Sequence, residues 1–193
     1  MSETTRERML ATAVRLFQRD GYHATSWRRL VDEAGTPWGS AHHHFPGGKE
    51  QLGVEAVQLG ADFAIDGVRR GFERHDSPED AIRWWYRKAG RRLADADYRG
   101  GCPLATITLE TVNGSPKLTA ACREAFDRWQ GVLTELLREH GYAAEAATEL
   151  AVAIIHNFEG ALLLSRVRRD TNPLELAAEQ IAVLLAHQRH AAS

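Results

Sequence analysis

The stretch Ser26–Lys49, SWRRLVDEAGTPWGSAHHHFPGGK, holds the side chains whose types and spacing are best suited to chemistry. That chemistry is recognition, not bond-making. Ser40 can donate to a phosphate or a base edge, and Trp38 can lay apolar surface on thymine methyls. Gly39, between them, lets a helix backbone come close to a duplex. Lys49 suits a phosphate if it stands at a helix N-terminus with unpaired amides, and Arg28 suits a second one. His42-His43-His44 invites a metal reading, but consecutive helical residues point about 100° apart and cannot share one ion. Gly47-Gly48-Lys49 lacks the earlier Gly and the following Ser or Thr of a nucleotide-binding loop. Neither a metal nor another cofactor is expected.

The elements around this stretch are those that would position it. Gly35 can take the left-handed conformation that ends a helix. Pro37 suits the first position of the next helix, and Thr36 can cap it. A helix, a short Gly-containing turn and a second short helix, Pro37 to about His44, form a helix-turn-helix pattern whose second helix enters the major groove. Upstream, Leu10, Ala13, Val14 and Phe17 place one apolar stripe on a first helix from Thr5 to Arg19, and Thr25 or Ser26 caps the second. Downstream, a long helix opens at Gly48 or Lys49 and runs to Glu73, 25 residues or about 38 Å. That is long enough to enter a second domain.

Residues 6–52 resemble the N-terminal domain of TetR-family transcriptional regulators, through LFQRDGYHATS, AGTPWGSAHHHF and FPGGKEQL. The resemblance implies sequence contacts from Pro37, Trp38, Gly39, Ser40 and His43, and backbone contacts from His42 and Lys49. Ser26, Arg28 and Thr36, at the two helix starts, complete the expected DNA-binding set. Pro37 stands where the family usually has a capping Ser, His42 where it has Tyr, Ala41 where it has Leu and Val31 where it has Ala. GCPLA at Gly101–Ala105 and EGALLL at Glu159–Leu164 are similar to a branch that includes lincomycin- and multidrug-responsive regulators. The family implies an all-helical homodimer, more often a repressor, released from a DNA operator by a small molecule.

Beyond residue 77 the breaks Ser77-Pro78, Cys102-Pro103, Ser115-Pro116, Gly141 and Thr171-Asn172-Pro173 mark further helices. Trp85 shares a stripe with Ile82 and Ala89, whereas Trp84 shares one with Lys88 and Arg91. A ligand pocket is expected from Trp85, Tyr86, Leu104, Ile107, Phe126 and Trp129, with His156 and Glu159 orienting a polar end. An interface between two copies is expected from Gly160, Leu162, Leu163, Ile181, Leu184 and Leu185 on the last two helices. Cys102 and Cys122 do not make a disulfide scaffold, and one of them could sense oxidants.

Hydrophobic residues make up 44% of the 193 and the formal net charge is −2. No bulk basic excess points to coating of nucleic acid or an anionic membrane. The N-terminus reads as no signal peptide and no apolar run as a membrane span, so a soluble cytoplasmic protein is expected. The fold class expected is all-α: an N-terminal three-helix helix-turn-helix domain, residues 1–47, joined by a long helix to a helical ligand-binding and dimerisation domain, residues 48–193. The expected function is a homodimeric, ligand-responsive regulator, a repressor released from a palindromic double-stranded operator by a small, mostly apolar effector. The rivals are a regulator answering to thiol oxidation or a protein partner, and a small helical enzyme. No spacing of catalytic residues supports the enzyme.

Overall fold

Most of the helix starts have a cause in the local sequence. The computed structural model describes residues 4–191, and within them every regular element is a helix. Helix α1 (Thr5–Asp20) opens on Thr4, whose side chain accepts from the Glu7 amide while Glu7 accepts from the Thr4 amide at 2.8 Å, a complete capping box. Ser26 caps α2 (Trp27–Glu33) by accepting from the Arg29 amide. A third short helix, α3 (Trp38–His44), precedes the 27-residue α4 (Gly48–Arg74). Ser77 caps α5 (Pro78–Asp95), and Ser115 accepts from the Leu118 amide at the start of α7 (Pro116–Glu139). Proline at the first position opens α6 (Pro103–Thr111) behind Cys102. Helices α8 (Ala144–Arg168) and α9 (Asn172–Ala191) complete the described elements.

These helices pack into two units. The first runs to Ala61 and takes in Cys102–Phe126; the second comprises Asp62–Gly101 and everything from Asp127. This division differs from the one expected at residues 47 and 48, because Cys102–Phe126 packs with the N-terminal helices.

In the first unit α1, α2, α3 and the start of α4 close over Met9, Leu16, Phe17, Leu30, Phe45 and Leu52, all fully buried. Leu104 and Ile107 from α6, and Leu118 and Ala125 from α7, belong to the same core. Helix α6 packs against α1. Its approach to α4 is close: a Cβ on Gly60 would lie 2.5 Å from Pro103 Cγ.

The second unit is built on α5 along α9 and α9 along α8. By length and composition α8 could cross a membrane, unlike what the run of residues suggested. Here Ala147, Leu150, Ile154 and Phe158 of that helix are buried in the unit's own core. Trp85 is 5% exposed and stacks on Phe158, with ring centroids 4.2 Å apart and planes at 14°. Trp129 and Tyr86 meet the same rings edge-on. The Tyr86 hydroxyl donates to the Ile154 carbonyl, and burial pushes its phenol well above the ordinary tyrosine range.

Helices α8 and α9 expose several apolar side chains. Leu163, Val167, Leu176 and Val183 are each more than half exposed. Gly160 is exposed, and Leu162 and Leu184 are half-buried. Ile181 and Leu185 correct the expectation for those helices: at 3% and 0% exposure they are core residues of their own subunit. Helical spacing put them one face away, because Val183, not its neighbours, marks the outward stripe of α9.

Candidate nucleic-acid interface

The turn before α3 is closed by backbone bonds, and Arg8 Nε adds a donor to its Ala34 carbonyl at 2.9 Å. Gly35 adopts φ +57, its amide donates to Asp32, and the Thr36 amide donates to Val31, the paired bonds of a Schellman motif. That motif rotates Thr36 inward. Thr36 is buried, and its hydroxyl donates back to the Ala34 carbonyl at 3.3 Å. Pro37, without a side-chain cap bond, stands at the head of α3. The expected capping role of Thr36, and its place on the DNA-facing surface, are therefore corrected.

Helix α3 has one inward face and one outward. Ala41 is fully buried and Phe45 follows it into the core. Pro37, Trp38, Gly39, His42 and His43 are exposed, and Ser40 is half-buried. A Cβ on Gly39 would meet nothing within 4 Å. The His42 ring lies 6.0 Å from Trp38 and 5.5 Å from Trp27 of α2. Trp27 was not singled out from the sequence. Its indole packs α2 against the His42 ring of α3. The signal was an aromatic residue in the first helical position after the Ser26 cap.

The flanking charges are placed unevenly. Ser26 is exposed at its cap position, and Arg28 projects with 81% of its side chain exposed, beside Asp32 at 3.8 Å. Lys49 is half-buried instead, with its ammonium 4.1 Å from the Tyr22 ring centroid. Burial against that ring lowers its pKa from the ordinary lysine value, and the Glu110 carboxylate opposes the shift. Glu110 is bound within this unit. Its carboxylate accepts from the His23 amide at 2.6 Å, and its carbonyl lies 2.9 Å from His23 Nε2.

Helices α1 and α2 are tied by alternating charges. Arg19 and Arg29 reach Asp20 at 2.8 and 2.7 Å, and Arg29 and Arg15 reach Glu33 at 2.9 and 3.1 Å. Arg19 chiefly holds the Asp20 carboxyl below its ordinary range, and Arg29 does the same for Glu33. Folded values below the unfolded ones mean that this pairing adds stability above the ordinary carboxylate range and loses it as pH falls through the depressed values. Replacing Glu33 with Gln should flatten the acid limb of thermal stability between about pH 5 and pH 3. An acid limb identical to that of the parent protein would show that the pair contributes nothing.

The residues expected to line a ligand pocket are split. Trp85, Tyr86 and Trp129 gather with Phe158 in the second unit, where their rings fill the space between them. Leu104 and Ile107 are core residues of the first unit, and Phe126 packs on that same core. His156 is exposed, which corrects its expected role as the polar anchor of an enclosed pocket, and Glu159 is half-buried. The periodicity of α8 misplaced His156 because the helix is apolar on nearly every side. Two open clefts, of about 350 and about 530 Å³, lie elsewhere in the second unit, along Phe72, Val132 and Leu136 and beside Tyr142.

Comparison with known proteins bears on both halves. Residues 9–56 match the family described as bacterial regulatory proteins, tetR family. Residues 78–180 match the family described as transcriptional regulator LmrA/YxaF-like, C-terminal domain. The chain is 36% identical to the uncharacterized HTH-type transcriptional regulator YxaF of Bacillus subtilis, over 94% of this chain and 95% of that one. It is 33% identical to the HTH-type transcriptional regulator LmrA of the same organism, over 88% and 90%. Among solved structures, a TetR transcriptional regulator from Legionella pneumophila superposes with a TM-score of 0.82 at 26% identity, covering 93% of this chain and 96% of that one.

Proposed function

The chain belongs to the TetR family of bacterial transcriptional regulators, and on that premise we propose that it is a homodimeric repressor released from its operator by a small, mostly apolar effector. The observation that carries the reading is α3, locked inward by Ala41 and open outward at Pro37, Trp38, Gly39, His42 and His43. Trp38 and Ser40 read base edges, and Gly39 admits the backbone of the helix to the groove. Arg28 and Ser26 contact phosphates from the start of α2, and Lys49 joins them by leaving the Tyr22 ring. Two copies pair through the apolar stripe of α8 and α9, including Leu163, Leu162, Leu184 and Gly160. The paired reading helices meet half-sites about 34 Å apart, one turn of DNA. The work is done in the cytoplasm, and no step requires catalysis.

The effector binds in the second unit, where Trp85, Tyr86, Trp129 and Phe158 open to admit a flat or bulky apolar molecule. Helices α4 and α7 each contribute to both units, so a rearrangement there is carried along continuous helices. A coupling of about 1–3 kcal/mol is enough to release the operator. The thiol-sensing alternative gains nothing at Cys122, which is buried and whose thiol is pushed up by that burial.

The test begins with sequences selected from a random DNA pool. The expected result is a palindrome with half-sites one helical turn apart. Gly39→Ala should stabilise the protein by about 0.5–1 kcal/mol, since the position is helical and open, yet weaken binding to the selected operator. Trp38→Ala should change which sequences are preferred. If both variants bind the selected operator with unchanged affinity in gel-shift titrations, α3 is not the reading helix.

A further inference from the structure

The second unit concentrates positive charge where operator reading does not use it. Arg70 and Arg74 stand on α4, and Lys88, Arg91 and Arg92 on α5. The ion pairs of this unit use other arginines: Arg83, Arg99, Arg128, Arg169 and Arg189. Among the described residues, the carboxylates one turn away on the same helices, Asp66, Glu73 and Asp95, are exposed and make no ion pair. Arg70 Nε donates to the backbone carbonyl of Asp66, not to its carboxylate.

Two aromatic rings hold three of these cations in position. The Arg92 guanidinium lies 4.2 Å from the Phe63 ring centroid, and Phe63 is itself 49% exposed. Lys88 and Arg74 lie 4.6 and 5.6 Å from the Trp84 ring. A cation on an aromatic face is immobilised without being neutralised, and its outer N–H groups stay available to an anion. The cluster has a centre. After burial, the influences that lower the Lys88 pKa are Arg92, Arg70, Arg74 and Arg91, all of one sign. Arg92 is lowered likewise, first by burial and then by Arg70.

A chain of net charge −2 gains no folding stability by gathering five cations on one face; self-repulsion opposes it. The arrangement becomes favourable when a multiply charged anion sits among them. We propose that the α4–α5 face centred on Lys88 binds a compact polyphosphate group, either as inorganic polyphosphate or as the phosphate chain of a nucleoside triphosphate. Phosphate suits the set because arginine forks bind its oxygens in bidentate fashion. Compactness follows from Lys88 and Arg74, from two helices, sharing the one Trp84 ring, with Arg92 one turn on from Lys88; a nucleic-acid strand would call for charges spread in a line.

The test is isothermal titration of the full-length protein at about 0.15 M salt, where exposed charges are screened beyond about 8 Å. The probes are sodium tripolyphosphate, ATP and adenosine. Tripolyphosphate and ATP should bind with similar affinity, and adenosine should not bind. Lys88→Gln with Arg92→Gln should weaken both by at least about tenfold, while Arg28→Gln in the first unit leaves them unchanged. The double change removes repulsion, so the ligand-free unfolding midpoint should not fall. The exposed Arg91→Gln alone should act in the same direction by a smaller factor, which tests the site should the double variant misfold. The proposal is overturned by polyphosphate binding that these changes leave intact, by equal weakening through Arg28→Gln, or by no binding at millimolar tripolyphosphate. ATP binding with tripolyphosphate inert would also overturn it, since the base would then be the recognised part.

Discussion

Gly21→Ala should lower stability by about 3–5 kcal/mol, a loss that places it among the largest expected of single substitutions. Gly21 has φ +92, where a side chain is strained by about 1–3 kcal/mol whatever surrounds it. The space is also taken: an added Cβ would lie 2.2 Å from Glu110 Oε1. A carboxylate could ordinarily swing aside, but this one is held by the His23 amide at 2.6 Å. Giving up a hydrogen bond to a charged group costs about 1.5–3 kcal/mol. The two contributions separate in a double-mutant cycle. Glu110→Ala should relieve the crowding and leave the backbone strain, so the double variant loses less than the sum of the single ones. Denaturant titration at fixed protein concentration measures all three. An unchanged midpoint for Gly21→Ala would mean that neither strain nor crowding operates at this turn.

The second large effect is expected on the outer stripe of α8 and α9. Leu163 and Val183 are 63% and 69% exposed in the subunit, so Leu163→Glu and Val183→Glu leave its core intact. In a two-fold pair each change appears twice, against the same surface of the partner. A carboxylate buried there without a counter-charge costs several kcal/mol. Dimers should give way to folded monomers at micromolar concentration, seen by native mass spectrometry or small-angle scattering. Operator affinity should fall with them, because one reading head holds only one half-site. Ile181→Glu, by contrast, should unfold the subunit, since that side chain is 3% exposed. A parent protein that is itself monomeric at these concentrations would refute the pairing.

How far the sequence could be read depended on the kind of signal. Helix boundaries were legible because Ser77, Ser115 and the prolines behind them act within one turn of chain. The short helix α3 was legible for the same reason, through Gly35 and the alternation of Ala41 with exposed neighbours. Thr36 was misread because a Schellman closure turns the residue after its glycine inward, and Gly35 signals the end of the helix without saying which way the next side chain points. His156, Ile181 and Leu185 were misread because α8 and α9 are apolar around most of their circumference, so periodicity does not say which face meets the core. Glu110 was out of reach altogether: its partner His23 is 87 residues away, and only the packing of α6 on α1 brings them together.

That packing bears on how such a regulator can be recombined with another. A splice at residue 47 looks natural for grafting this reading head onto a foreign sensor. Yet the head's core includes Leu104, Ile107, Leu118, Ala121, Cys122 and Ala125, contributed from far down the chain. A chimera cut there would inherit α1–α3 with part of their hydrophobic floor missing and the Gly21 turn without its Glu110 clasp. The transferable module is discontinuous, the chain up to Ala61 together with Cys102–Phe126, and the seams belong inside α4 and α7.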